Sequence, residues 1–577
     1  MTTIAELIVK GLADHGVRTI WGVVGDALNP VTEAIRQEER LEWIGVRHEE
    51  VGAFAAGAQA QLTGTIGVCM GTVGPGSIHL LNGLYDAKKS HAPVLAICGQ
   101  VPIAEIGSDY FQEVNNDVLF SDVAVFAQTV TSPSQLPHLL EQAVNAATSH
   151  RGVSVLTLPA DVGDLKLPSD TAEPRFVETD RPTTPDATSL QATADLLNQA
   201  NKVTLLVGMG AREARDEVLE LARQCAAPMV LTLKGKEGLE RDNVYQVGQN
   251  GLLGNPAAAQ AFDDCDLLFM VGTDFPYRDF YPTEPTVIQL DARADHIGRR
   301  TSVDLGLVGH AAPTLRALLP LLTDARDRAH LDSARKAYDG WVVRQGNLTD
   351  PAYEDKTVGK LRGKLDNPDG RIRPEALTAA IDRHATDDAI FTADTGMSTV
   401  WLSRFVTMRG TRRLLGSFNL GSMANAMPQA LGAQALDRQR QVVAFCGDGG
   451  LTMLLGDLFT AVSQDLPVKL VVFDNGRLGM VKLEQEEVSQ PESGTVLHDP
   501  DLARVAEAIG FRSVRVTDPA DVEDAVRQAL ATPGPVLVDV LTNPQEIALP
   551  PQPGIHQAWG FAVAKVKETL GQGEAGS

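Results

Sequence analysis

Short runs of apolar and β-branched residues recur along almost the whole chain, each closed by a turn and followed by a longer amphipathic segment. Residues 65–70, 93–98, 203–207, 267–271, 442–446 and 468–473 are such runs, and 49–62 reads as a helix between two of them. Unbroken apolar runs of this length mark strands covered on both faces, and strands alternating with helices build a parallel sheet. The expected fold class is therefore α/β, with doubly wound parallel sheets.

Two stretches interrupt the rhythm and read as linkers. Residues 168–185 hold Pro168, Pro174, Pro182 and Pro185 among Thr and Asp, and 323–374 are densely charged around Asn367-Pro368-Asp369-Gly370. At ~150 residues per domain, a chain of 577 residues holds three or four domains. The expected units are 1–167, 186–322 and 374–545, with a tail at 546–577. The outer two echo each other. Gly74-Pro-Gly76, Leu81, Gly83 and Pro93-Val94 line up with Gly447-Asp-Gly449, Leu454, Gly456 and Pro467-Val468, which suggests one α/β domain used twice.

Composition narrows the function. A net charge of −24 opposes nonspecific attraction to nucleic acid or anionic lipid, so an anionic ligand has to be held locally. Cys69, Cys98, Cys225, Cys265 and Cys446 are scattered, without metal or redox spacing, and read as reduced core residues. With no basic-then-apolar leader and no apolar run near ~20 residues, the default compartment is the cytoplasm.

The densest chemistry lies at Gly447-Asp448-Gly449-Gly450, directly after one apolar run, and at Phe473-Asp474-Asn475, directly after the next. Asn475 follows Asp448 by 27 residues. Adjacent strand ends in a parallel sheet face one crevice, so the Asp448 carboxylate and the Asn475 amide oxygen can converge on a hard cation such as Mg²⁺. The glycines let backbone N–H groups approach phosphate oxygens at the start of the next helix. Gly, Asp and Asn are also ordinary turn residues; two such turns at neighbouring strand ends are what favours a diphosphate site.

These residues resemble the signature of the thiamin diphosphate enzymes, a Gly-Asp-Gly turn followed by an Asn-containing strand end. The resemblance implies a glutamate from another domain, which hydrogen-bonds the cofactor's aminopyrimidine and favours loss of the thiazolium C2 proton. Glu49, in Arg47-His48-Glu49-Glu50-Val51-Gly52-Ala53, matches it, upstream of Gly74-Pro75-Gly76 and Asn82 as in the family. Asp394-Thr395-Gly396 fits the strand end that meets the 4′-amino group, and Gly421-Ser422-Met423-Ala424-Asn425 fits the segment that bends the cofactor, with Met423 as the wedge. The Arg477 carbonyl is expected to complete the metal ligands, and Gly25, Asp26 and Met480 to contact the cofactor.

Within that family the chain is similar to pyruvate oxidase and pyruvate dehydrogenase (quinone) from about residue 5 to about residue 560, through Ile20-Trp-Gly-Val-Val-Gly-Asp26, Gly107-Ser-Asp-Tyr-Phe-Gln-Glu113, Gly272-Thr-Asp-Phe-Pro-Tyr-Arg278 and Leu415-Gly-Ser-Phe-Asn419. Phe111, Gln112 and Glu484 match residues lining the substrate end of the pocket there, and His79 a histidine at the cofactor's amino end. Gly251, Gly254, Thr273, Asp274, Phe275, Arg278 and Asp291 match segments that hold FAD; Asp291 suits the ribose hydroxyls and Arg278 the diphosphate charge. Gly208-Met-Gly210 alone is only part of a dinucleotide fingerprint, since Glu213 stands at the third glycine position. The chain departs from the family at Asp474, where an asparagine is usual, which adds a carboxylate beside the expected metal.

The implied activity is oxidative decarboxylation of pyruvate to acetate or acetyl phosphate with thiamin diphosphate, Mg²⁺ and FAD. Quinone or oxygen would accept the electrons, and the protein would be a dimer or tetramer of one chain. Two alternatives are an acetolactate synthase-like carboligase with a non-redox FAD and a nucleotide-binding scaffold without chemistry; retention of Glu49, Asp448 and Asn475 argues against the scaffold. Residues 559–570 carry two lysines and a few apolar residues, too little for stable membrane binding, and leave only a transient peripheral encounter open.

Overall fold

The computed structural model describes residues 2–177, 182–324, 327–350, 367, 369–498 and 500–546. The apolar runs form strands in three sheets in which every pairing is parallel. The first holds β1 (Thr19–Gly22), β2 (Glu42–Gly45), β3 (Gly67–Gly71), β4 (Val94–Gln100), β5 (Ala124–Thr129) and β6 (Val153–Pro159), in the order β2-β1-β3-β4-β6-β5. The second holds β7 (Val203–Val207), β8 (Met229–Leu231), β9 (Leu267–Val271), β10 (Thr286–Asp291) and β11 (Leu305–Val308), in the order β11-β10-β9-β7-β8. The third holds β12 (Ile390–Ala393), β13 (Arg413–Gly416), β14 (Val442–Gly447), β15 (Lys469–Asp474), β16 (Arg512–Val516) and β17 (Val536–Leu541), in the order β13-β12-β14-β15-β17-β16.

The third sheet repeats the first strand for strand, and β3 before Gly74 occupies the place of β14, which ends on Gly447. The echo between the outer parts is thus a repeat of topology. Strands β3, β4, β6, β7, β9 and β15 are buried along their whole length, as sheets covered by helices on both faces require. All five cysteines are free and buried. No helix among the described residues is long and apolar enough to cross a membrane.

The first and third domains meet through two helices with little side chain between them. Glu49–Thr63 and Ala426–Leu436 are rich in Ala and Gly and apolar on every side, the pattern of a helix buried all round. One apolar cluster runs through both domains and includes Ala53, Ala56, Met427 and Leu431. At the crossing, a Cβ on Gly432 would stand 2.4 Å from the Ala55 carbonyl oxygen. Gln59 keeps its polar atoms satisfied in this apolar setting: Nε2 donates to the Gly432 carbonyl at 3.2 Å, and Oε1 accepts from Thr19 Oγ1 at 2.7 Å and Trp21 Nε1 at 3.2 Å.

One expected linker is corrected. Within 323–374, residues Ala329–Leu348 form a helix that buries Leu331, Ala334 and Leu348 and lies against the Pro256–Asp263 helix of the middle domain. Its apolar contacts are spread thinly among charges, so the sequence reads as solvated while one narrow stripe still docks. Residues 168–177 and 182–185 have almost no regular structure, yet Phe176 packs on the His15 ring at 4.7 Å. Residues 559–570 lie outside the described residues.

Gly432→Ala tests the helix contact. Alanine favours a helix by about 1 kcal/mol over glycine, but forcing a methyl group against the Ala55 carbonyl costs more, and a net loss of about 1–3 kcal/mol is expected. A denaturation midpoint at or above that of the unmodified protein would show that the two helices can move apart freely.

Candidate cofactor site

The strand order brings the third domain's functional residues to one edge. Strands β12, β14 and β15 are neighbours, so Asp394, Asp448 and Asn475 follow or end adjacent strands. Asp448 is buried, and burial pushes its carboxyl up to about 6 against the pull of backbone N–H groups of Gly449, Gly476 and Arg477. The two turns therefore already touch. Asn475 Oδ1 accepts from the Arg477 N–H at 3.0 Å, and the Arg477 guanidinium pairs with Glu492 at 2.5 Å. A buried carboxylate held by backbone N–H groups suits a hard cation, and the Asn475 amide oxygen after the neighbouring strand offers a second oxygen donor. The residues present fit Mg²⁺.

Asp394 organises this edge. Its Oδ1 accepts from the Ala426 N–H at 2.9 Å and its Oδ2 from the Gly447 N–H at 3.1 Å, so one carboxylate ties the Gly447–Gly450 turn to the segment that begins at Met423. Burial raises it to about 6. Gly450 has to be glycine, because a Cβ there would lie 2.4 Å from Asp394 Oδ2. A Cβ on Gly449 would lie 3.5 Å from the Met423 methyl, which places the expected wedge over the turn. Ser422 Oγ donates to the Met423 carbonyl and Ala424 takes a left-handed backbone with φ of 63°. Gly396, with φ of 137°, opens the next helix, and the Thr395 hydroxyl is buried with no hydrogen-bond partner among the described residues. That orphaned hydroxyl is a polar group left for a ligand.

In the first domain Glu49 opens its helix buried at 8% exposure, with Oε2 3.0 Å from His79 Nδ1, and His79 stacks on His48 at 4.5 Å. Gly76 passes so close that a Cβ would be 3.2 Å from Glu49 Oε1. The third domain clamps this helix start: Asp457 accepts from the backbone N–H groups of Arg47 at 2.8 Å and His48 at 3.1 Å. Asn82 Nδ2 donates to Glu50 and to Ser422 Oγ, again joining the two domains.

Gly74, with φ of 66°, abuts Gln112, whose own φ of 66° is strained for a side chain. Phe111 beside it is 79% exposed. Glu484 is also exposed, on the Gly479–Glu487 helix of the third domain. Gly25 packs against Thr72, and Asp26 caps its own turn through the Ala27 N–H at 2.9 Å, with its carboxylate toward solvent.

A cavity of about 570 Å³ joins the middle and third domains. Thr273, Asp274, Phe275 and Asp291 line it from one side, and Thr395, Gly396 and Met480 from the other. Gly251, Gly254 and Arg278 do not. The two glycines shape the turn that presents Asn250, Leu252 and Leu253, and Arg278 starts a short turn leading away. Asp274 is not a free anion either, being paired with Arg299 and Arg300. The cavity wall instead offers Arg151, Arg293, His91 and His296, and both His91 Nε2 and His296 Nε2 are buried without a hydrogen-bond partner among the described residues. Lys234, also on the wall, is lowered to about 8 by burial.

Asp457 and His91 carried no signal in the sequence, since each faces residues of another domain, and His296, paired with nearby Asp291 at 3.4 Å, meets His91 only across domains. Asp394 stands inside a motif, but its hydrogen bonds to Ala426 and Gly447 have no trace in the residues beside it.

Known families match the chain domain by domain. Residues 2–119 match the thiamine pyrophosphate enzyme N-terminal TPP binding domain, 190–318 the central domain and 394–540 the C-terminal TPP binding domain. The chain belongs to the thiamine pyrophosphate enzymes. A Bacillus subtilis (strain 168) protein named as thiamine pyrophosphate-containing is 37% identical over 98% of this chain and 96% of its own. The pyruvate oxidase of Lactiplantibacillus plantarum is 30% identical over 92% and 87%, and the acetolactate synthase large subunit of Parasynechococcus marenigrum 30% over 95% and 89%. In a thiamine pyrophosphate enzyme, Asp448 and Asn475 are the residues that would hold Mg²⁺ against the diphosphate.

Asp448→Ala should therefore weaken Mg²⁺ and thiamin diphosphate together, by at least about tenfold. Calorimetric titration that finds the thiamin diphosphate affinity unchanged would remove Asp448 from the metal site.

Proposed function

We propose that this thiamine pyrophosphate enzyme decarboxylates pyruvate oxidatively to acetate or acetyl phosphate, with FAD taking up two electrons and a quinone or oxygen receiving them. The observation that carries this reading is the cavity from the middle domain's strand ends to Thr395, Gly396 and Met480. It is of a size usual for small-molecule and cofactor sites, roughly 300–1,000 Å³. Its unpartnered imidazole edges and its arginines suit the polar, anionic body of a dinucleotide. It ends beside the residues expected at the thiamin ring, where electrons would be handed over.

Bound thiamin diphosphate supplies the electron sink that lets a 2-keto acid lose CO₂. The chain's part is to prepare and orient it. Glu49, kept out of water and oriented by His79 and the Asp457 clamp, would hydrogen-bond the aminopyrimidine. Met423 would hold the bend, and Asp448 and Asn475 the metal. Phe111, Gln112 and Glu484 would line the substrate end only if another chain brings them together. Phe111, Tyr110 and Ile78 at the first domain's crevice, and Met453, Val481 and Val488 near the third domain's, are exposed apolar residues. A second copy that covers both edges would complete two equivalent sites.

Anaerobic pyruvate should bleach the bound flavin stoichiometrically. Pyruvate consumption without bleaching, with a five-carbon hydroxy acid as product, would turn the assignment to carboligation. Glu49→Gln should fold and bind cofactors yet lose ~10²- to 10⁴-fold in turnover; a variant with half the original decarboxylation rate or more rules Glu49 out. Light scattering should find a dimer or tetramer at assay concentration, and an active monomer would refute shared sites.

A further inference from the structure

The strand carrying the metal turn ends on Asp474, and the surroundings of this carboxylate explain how the chain tolerates it. Asp474 is 2% exposed, and Asp539 on the neighbouring strand β17 is fully buried. Register pairs Asp539 with Val472 and with Arg515, so Asp474, two residues beyond Val472, shares a sheet face with Asp539. These two acidic side chains are in hydrogen-bond contact with each other and have lost their hydration, and a nearby cation offsets the charge they carry. Arg515 supplies it from the edge strand β16. Its Nη2 lies 3.6 Å from Asp474 Oδ2, its Nε 3.6 Å from Asp539 Oδ2 and its Nη1 3.9 Å from Asp501 Oδ1. The added negative charge expected beside the metal is therefore answered within the sheet.

The same carboxylate reaches the metal turn. Asp474 Oδ1 accepts from the Gly476 N–H at 3.2 Å, and Gly476, directly after Asn475, takes a left-handed backbone with φ of 66°. The Asp474 carbonyl meanwhile accepts from the Thr542 N–H at 2.8 Å, which anchors the strand end. One oxygen of Asp474 faces the guanidinium and the other holds the turn, so the angle of the carboxylate links the two. A second buried partner, Asp539 Oδ2, accepts from the Leu502 N–H at 3.2 Å and fixes the far side of the arrangement.

We propose that Arg515 is a positioning residue for Mg²⁺ binding: through Asp474 it holds the Asn475 turn in the geometry that presents the amide oxygen to the metal. This rests on the assignment of Asp448 and Asn475 to Mg²⁺. Arginine suits the role because its planar fork can face several carboxylates at once, which a lysine ammonium on a flexible stem does not do in fixed geometry. Asparagine at 474 would dispense with the cation. Its Oδ1 would still accept from Gly476, and its Nδ2 would donate to Asp539 in place of the guanidinium.

That chemistry sets a rescue experiment. Arg515→Gln and Arg515→Lys are each compared with the same change combined with Asp474→Asn, in the full chain. Mg²⁺-dependent thiamin diphosphate binding is read by calorimetry, Mg²⁺ half-saturation and kcat by assay, and stability by thermal unfolding. Both single variants should weaken Mg²⁺ binding, by about 10- to 100-fold for a lost orienting partner, with the larger change in half-saturation rather than in kcat at saturating Mg²⁺. Asp474→Asn should recover most of the loss. If Arg515→Gln does not fold, the lysine pair carries the comparison. A lowered melting temperature with unchanged Mg²⁺ affinity overturns the proposal, as does a combined variant no better than its parent. Thiamin diphosphate binding that ignores Mg²⁺ in the unmodified protein overturns the metal site itself and the positioning role with it.

Discussion

Backbone pressed on backbone where Ala55 meets Gly432 fixes how the two outer domains sit, and the site inherits its geometry from that contact. The helix on one side begins with Glu49; the helix on the other begins directly after Met423-Ala424-Asn425. A shift between these helices would carry Glu49 and the Met423–Asn425 segment with it. Small residues make the contact close, and close packing makes it stiff. The Asp457 clamp and the Asn82–Ser422 hydrogen bond then pin the two helix starts locally, so orientation does not depend on apolar packing alone.

Inside the third domain the same task falls to a charge. Asp394 gathers N–H groups from two separate segments, and the lack of any atom beyond Cα at Gly450 gives it room to do so. A neutral residue could fill the space but would accept less from both donors. The rise of this carboxyl to about 6 shows how much hydration it has given up for the purpose. Asp448, similarly buried, differs in being aimed at a turn that can share a cation.

The strands were legible because burial on both faces leaves a local trace. Val203–Val207 and Leu267–Val271 stand where their apolar runs stand, and β14 extends its run only to Gly447. Asp448, Asn475, Glu49 and Met423 stood out for a related reason, since each sits in a compact run of turn or helix-start residues, although what Glu49 and Asp448 touch lies far along the chain. Arg515 and Asp457 were not, because each acts on a residue of a different strand or domain, and a lone charge near an apolar run says nothing of what it faces. The Ala329–Leu348 helix hid differently: one narrow stripe of contacts was outnumbered by charges. Phe111 and Glu484 show the opposite limit, residues singled out by resemblance that stand exposed on different domains.

The shared core also has a cost in time. The Ala-rich face of the Glu49–Thr63 helix leaves the ribosome long before the Ala426–Leu436 helix that covers it. At ~5–20 residues per second, the roughly 360 residues between them take roughly 20–70 s to make. Through that interval the nascent first domain shows a flat apolar surface with no partner on its own chain. Until then any other chain nearby has access to that surface before the protein's own third domain does.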